Sequence, residues 1–260
     1  MTVAQEQGRL WGERSSDYAE LVEGAFRPLF EAVYDRVGVA PGTRVLDVGC
    51  ATGLASRLAA ARGAAVAGLD AAEASIAIAR RQLPDGDFRV GDMLDLPWPR
   101  DSFDLVTGFN SFQFAPDIVA ALREAARVAR PGGQVAMAVW GLPGQVDLFA
   151  VVGPIVSLLP PAPANGSQEV PLSTPGRMEQ LCAEAGLRPR HAGDVRCDFN
   201  FPDLETALRG ILSAGGVVAV IEHAGEARVR RVASEGLQRF RDPDGRYLLS
   251  NTLRYVIAAV

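Results

Sequence analysis

RVLDVGCATG, residues 44–53, is a short apolar run that ends in a glycine-spaced turn. Val45, Leu46 and Val48 give it the continuous apolar character of a strand buried on both faces, as parallel sheets require. In the turn from Asp47 to Gly53, Gly49 and Gly53 allow backbone to approach a ligand with no Cβ in the way. Ala55 to Arg62 then reads as a helix, whose first turn offers unpaired N–H groups. AAVAGLD (residues 64–70) is a second strand, and residues 72–82 form a second helix in which Ile76, Ala79 and Leu83 share a face. In such a sheet a ligand sits at the carboxyl edge, where strand order reverses.

Working outward, DFRVGD (87–92) is a third short strand and SFDLVTGFN (102–110) a fourth, entered through the turn at Pro97 to Asp101. Ile118 to Val128 has a helical period, RPGG (130–133) stops it, and QVAMAVW (134–140) is a fifth strand. After residue 141 the rhythm breaks. Residues 141–176 are rich in Pro and Gly around an apolar stretch at 147–159, as expected of a loop and a cap helix. Met178 to Ala185 reads as a helix, His191 to Phe199 as a strand, Leu204 to Phe240 as a mainly helical insert and Tyr247 to Ala259 as a last strand. The final two strands could pair as a long hairpin interrupted by that insert. The expected organisation is an N-terminal helical lid over 1–40, a ligand-binding core over 41–141, a loop and cap helix over 142–176, and completion of the sheet over 177–260 with a helical insert at about 200–246.

Composition narrows the function. At 260 residues, 48% hydrophobic and 22% charged, the chain can bury a substantial core as one globular unit with an inserted cap. Its formal charge of −5 gives no electrostatic reason to seek nucleic acid or an anionic membrane, so a small-molecule partner is expected. All 26 basic residues are Arg, the codon bias of a GC-rich bacterial genome. Cys50, Cys182 and Cys197 are odd in number and lack a CxxC, which points to neither a disulfide framework nor a metal site and fits a cytoplasmic location. The longest apolar run, Leu148 to Leu159, is short of the roughly 20 residues of a membrane span, and no signal-peptide pattern opens the sequence.

Gly49, Ala51 and Gly53 depart from the G-x-G-x-x-G of a nicotinamide site, which disfavours a pyrophosphate ligand at this turn. Asp70 ends the second strand, 17 residues past Gly53, where a carboxylate can accept from both hydroxyls of a ribose. These residues point to an adenosine-type cofactor without choosing which one.

VLDVGCATG, then GLD, then GDMLDLPWPRDSFDLVTGFNSFQF, then ARPGG resemble, in order and spacing, the successive cofactor motifs of class I S-adenosylmethionine (SAM)-dependent methyltransferases, especially the branch of quinone-biosynthesis and natural-product enzymes. The match runs from about Val39 to Trp140; Ala51 stands where the family usually carries Gly. The resemblance implies a Rossmann-like seven-stranded, mostly parallel α/β sheet with helices on both faces and an antiparallel last strand. It implies SAM as cofactor, S-adenosylhomocysteine as product and a small-molecule methyl acceptor, with a homodimer also compatible. Gly49, Ala51 and Gly53 would form the turn under the methionine and ribose, Asp47 would organise it, and Asp70 with Ala71 would face the ribose. Asp92 and Met93 would read the adenine. Asn110 would face the methionine ammonium, with Ser111 beside it and Gln113 near the acceptor.

Upstream, Trp11, Arg14 and Tyr18 fall at spacings of three and four on one face of an expected helix; the resemblance implies that such a helix closes over the cofactor, with Tyr or Arg there meeting its carboxylate. No base stands out: His223, Glu222 and Tyr255 are weak candidates, and Val217, Val218, Val220 and Ile221 would serve equally as pocket lining or as core. Methyl transfer to a small, apolar metabolite is the expected activity. A SAM-binding protein without transferase activity, or a nicotinamide-dependent oxidoreductase, stand as alternatives.

Overall fold

In a computed structural model residues 1–160 and 170–260 are described, so residues 161–169 of the expected loop lie outside the described residues. Four helical pieces come first: α1 (Val3–Gly12), α2 (Ser15–Leu21), a 3-10 turn (Glu23–Phe26) and α3 (Arg27–Val37). Thr2 and Gln5 form a reciprocal capping box that starts α1. The core follows as β1 (Arg44–Val48), α4 (Leu54–Ala60), β2 (Ala65–Asp70), α5 (Glu73–Gln82), β3 (Asp87–Val90), β4 (Phe103–Phe109), α6 (Ile118–Val128) and β5 (Ala129–Trp140). Asp117 caps α6 by accepting from Ala120 N at 2.9 Å, and Ala121, Leu122, Ala125 and Val128 turn inward at the spacing their sequence predicts. The chain is completed by α7 (Leu148–Val156), α8 (Arg177–Glu184), β6 (Arg188–Arg196), β7 (Phe199–Phe201), α9 (Leu204–Leu212), α10 (Gly215–Ala224), α11 (Glu226–Leu237), β8 (Tyr247–Leu249) and β9 (Thr252–Ala259).

Seven strands form one sheet in the order β3-β2-β1-β4-β5-β9-β6. The first five run parallel; β9 is antiparallel to both β5 and β6. The order reverses between β1 and β4, which opens a crevice at their carboxyl ends. One apolar cluster joins α3, α4 and the C-terminal helices to one face of the sheet, and a second joins α6 and α8 to the other. Among the described residues no single helix is long and apolar enough to cross a membrane.

Three local readings change. RPGG does not separate helix from strand; β5 begins at Ala129, and Arg130–Gly133 form a bulge in which pairing shifts from Phe103–Ala129 to Leu105–Gln134. The last two strands do pair, from Arg188–Ala259 to Arg196–Thr252, but both leave the sheet at one level. Cys197 N donates to Asn251 O there and Asn251 N to Asp198. Beyond that level the chains pair again as a small separate sheet, Phe199–Phe201 with Tyr247–Leu249. The expected single strand over 247–259 is therefore two.

Candidate functional site

The crevice is built from four strand ends and roofed by α1. Gly49 and Ala51 after β1, Leu69–Ala71 ending β2, Gly91–Met93 after β3 and Phe109–Ser111 ending β4 line it, with Val3, Ala4, Gln7 and Trp11 of α1 above. An inner cavity shares Tyr18, Gly49, Ala51, Phe109 and Asn110 with it and is bounded further by Glu23, Asp47, Phe26 and Phe30.

The turn after β1 is held by hydrogen bonds that its sequence dictates. Gly49 N and Cys50 N both donate to Leu69 O, at 2.7 and 3.0 Å, and tie the turn to β2. Gly49 has φ +74°, and a Cβ there would lie 2.3 Å from Ser111 Cβ, so the position admits only glycine on two grounds. Ala51 is left-handed at φ +46°, a conformation that costs a Cβ-bearing residue roughly 1–2 kcal/mol. Its N–H donates to Asp70 Oδ2 at 2.9 Å, while Asp70 Oδ1 takes Ala72 N at 2.8 Å. One carboxylate thus fixes both the turn and the start of α5, and a carboxylate has further lone pairs for a ligand. Burial pushes the Asp70 carboxyl upward, opposed by those amide donors.

Asp47 is 2% exposed and its Oδ1 accepts from Thr107 Oγ1 at 2.8 Å. Burial pushes its carboxyl up to about 7, the Thr107 hydroxyl opposing and Glu23 and Asp70 adding to the rise. Ser111 Oγ donates to Val48 O at 2.6 Å. Asn110 is left-handed at φ +55°, and its side-chain oxygen accepts from Gln113 Nε2 at 3.0 Å. Asp92 Oδ1 accepts from Leu94 N at 2.9 Å, which folds the loop that brings Met93 to the cleft.

The roof is fitted closely. A Cβ on Gly8 would lie 2.2 Å from the Ala71 carbonyl oxygen, so only glycine lets α1 rest there. Trp11 packs edge-on against Tyr18 and Phe114, at ring separations of 5.7 and 5.4 Å, and its other side meets Gly215 of α10. Burial, with Glu23 and Asp70 nearby, pushes the Tyr18 phenol far above its ordinary value, which keeps it a proton donor.

Asp47, Gly49, Ala51, Asp70, Ala71, Asp92, Met93, Asn110, Ser111, Trp11 and Tyr18 all border the crevice or its inner cavity. Other expectations are corrected. Trp11, Arg14 and Tyr18 do not share a helix: α1 ends at Gly12, Arg14 precedes α2, and its guanidinium pairs with Glu226 at 2.8 Å, outside the cleft. Gly53 lines neither cavity; at φ +91° it starts α4 and lets the turn pack on Ala79. Gln113 touches Asn110 and lines neither. Among the three candidate bases, His223 is exposed, Glu222 is exposed and paired with Arg9, and Tyr255 is buried on β9 against Gly193. Val217, Val218 and Val220 are core.

Glu23 is the residue the sequence conceals. It sits in LVEGAF, an ordinary amphipathic pattern, yet it is 5% exposed and braces the turn ahead of α4, accepting from Thr52 N at 3.1 Å, from the Thr52 hydroxyl and from Leu54 N at 3.4 Å. Burial pushes its carboxyl upward, against those donors.

Residues 46–137 match the family described as a methyltransferase domain. The chain is 36% identical over 159 residues to a ubiquinone biosynthesis O-methyltransferase of Pseudomonas aeruginosa, covering 58% of this chain and 67% of that protein. To the Aromatoleum aromaticum protein of the same name it is 31% identical over 194 residues, covering 70% and 79%. A SAM-dependent methyltransferase from Aquifex aeolicus shares the fold, with a TM-score of 0.53 at 17% identity over 70% of this chain and 92% of that one.

Proposed function

The chain belongs to the class I SAM-dependent methyltransferases, enzymes of small-molecule methylation here, and from that premise we propose that the crevice holds the cofactor and presents it to a hydroxyl of a small apolar acceptor. The observation that carries the reading is the conjunction of the left-handed Gly49–Ala51 turn, the carboxylates of Asp70 and Asp92 after successive strands, and the aromatic inner lining. The donor set suits this cofactor: carboxylates face the crevice, and no Arg or His is among the described residues that line it, as a cationic ligand requires.

When bound, SAM supplies an electrophilic methyl group on a sulfonium. Asp70 would accept from the ribose hydroxyls with lone pairs that the amides of Ala51 and Ala72 leave free. Asp92 and Met93 would face the adenine, and Asp47 and Asn110 the methionine end. Val3, Ala4, Gln7 and Trp11 of α1 cover part of the crevice from above. Holding acceptor and donor in line is the protein's main contribution, on the order of 7 to 11 kcal/mol for well-oriented reactants. Phe109 and Phe114 support an apolar acceptor approaching beside Asn110, and the O-methyltransferase relatives support oxygen as the methylated atom. The acidic balance supports the absence of nucleic-acid and membrane partners, and three free, buried cysteines support a cytoplasmic location.

Calorimetry with S-adenosylhomocysteine, followed by incubation with methyl-labelled SAM and parallel panels of hydroxylated aromatics, amines and thiols, tests the proposal. Label is expected in the hydroxylated compounds. Transfer confined to amines or thiols refutes the oxygen assignment, and no binding of S-adenosylhomocysteine refutes the cofactor site.

A further inference from the structure

The inner cavity has an uneven charge balance. Glu23 and Asp47 both border it, both are at least nine-tenths buried, and each carboxylate's hydrogen-bond donors are neutral: Thr52 N, the Thr52 hydroxyl and Leu54 N for Glu23, the Thr107 hydroxyl for Asp47. Neither makes an ion pair among the described residues; the nearest cation is the exposed Arg57, whose charge reaches Glu23 without a contact. Arg14, the side chain that could have met a cofactor carboxylate, is held by Glu226 instead. The sequence contains no Lys.

A buried carboxylate without a contacting cation bears an uncompensated desolvation cost unless a ligand provides the opposite charge. The methionine end of SAM carries an ammonium and a carboxylate. Beside Glu23 and Asp47 the first is attracted and the second repelled; neutral donors, among them the Tyr18 phenol, the Asn110 amide and backbone N–H groups, remain to meet the second.

We infer that Glu23, acting with Asp47, is a specificity-determining residue that reads the cofactor's ammonium, and that the cofactor's carboxylate contributes little to affinity. The inference rests on the reading of the crevice as the SAM site. Glu23 reaches this position because the 3-10 turn Glu23–Phe26 lies between the lid helices and α3 and carries it onto Thr52 and Leu54. The residue that closes the cofactor turn from the lid side is thereby also the one that faces the amine.

Three ligands separate the contributions: S-adenosylhomocysteine, its decarboxylated analogue bearing the propylamine alone, and 5′-methylthioadenosine, which lacks both charges. Calorimetry on the wild-type chain is expected to find the decarboxylated analogue within about threefold of S-adenosylhomocysteine and methylthioadenosine at least about tenfold weaker. In Glu23→Gln the two amines are expected to lose about tenfold or more while methylthioadenosine keeps its affinity, because only a charged partner is lost. A drop of more than about tenfold on decarboxylation in the wild type overturns the inference. So does a loss shared equally by all three ligands in the variant, which would make Glu23 a support for the turn, and so does an unchanged affinity for the amines. Should Glu23→Gln fail to fold, Glu23→Asp, which draws the carboxylate back by one methylene, takes its place, with the same selective loss of the two amines expected and the same outcomes against the inference. Failure of S-adenosylhomocysteine to bind the wild type would refute the cofactor site rather than the role of Glu23.

Discussion

Replacing Asp47 by Asn should stabilise the cofactor-free protein at alkaline pH while weakening cofactor binding. Asp47 is 2% exposed, and the Thr107 hydroxyl is its side-chain donor. Its carboxyl is pushed up to about 7 by burial, from 3.8 for an unperturbed Asp. Between those two values the native protein keeps a proton that the unfolded chain has released, so raising the pH favours unfolding. The contribution is fully present below the unfolded value and is lost as pH rises through about 7. Each pH unit in that window is worth about 1.4 kcal/mol, so moving from pH 5 to pH 8 removes about 3 kcal/mol from the wild type through this group alone. Asn keeps an acceptor for Thr107 and does not titrate. The difference in unfolding free energy, variant minus wild type, should therefore grow by about 3 kcal/mol over that range in urea titrations without cofactor. A difference that stays constant with pH, or that shrinks, would refute the reasoning that burial holds a proton on Asp47 in the cofactor-free protein.

Asp70→Ala should weaken S-adenosylhomocysteine by at least about tenfold in calorimetry and also cost about 1–3 kcal/mol in unfolding, because Ala51 N and Ala72 N lose their acceptor; unchanged affinity would defeat the ribose assignment. Ala51→Gly should raise unfolding stability by about 0.5–1 kcal/mol, since the left-handed strain at φ +46° outweighs the entropy of glycine, and a loss of stability would show that the Ala methyl packs usefully. Gly8→Ala places a methyl 2.2 Å from the Ala71 carbonyl and should lift α1; stopped-flow release of S-adenosylhomocysteine should quicken several-fold, and an unchanged rate would mean the roof does not gate the crevice.

The core was legible because burial and backbone geometry are written locally there. An apolar five-residue strand, glycines where φ must be positive, and acids at strand ends are each set by neighbours in sequence, and the order of the strands follows from their alternation with helices. What was not legible depends on contacts across the chain. The periodicity of Trp11, Arg14 and Tyr18 is helical, but a break at Glu13–Arg14 turns Arg14 toward Glu226, over 200 positions away. Glu23 looks like any solvent-facing acid until Thr52 lies against it. The division of the last strand follows from buried Asn251, whose side chain accepts from Leu148 N and donates to Leu249 O. The RPGG segment, a helix stop by composition, is absorbed into β5 because β4 offers it a partner.

Arg9 with Glu222, Arg14 with Glu226, and Arg209 with Asp17 and Glu20 stitch the first helices to the last insert, with all of these side chains at least a quarter exposed. Such pairs are worth at most about 1 kcal/mol each and are screened by salt. These polar fasteners sit at the rim of an apolar seam that joins the same elements, so that if turnover is limited by product escape, added electrolyte should quicken it only modestly while the chemistry beneath is untouched.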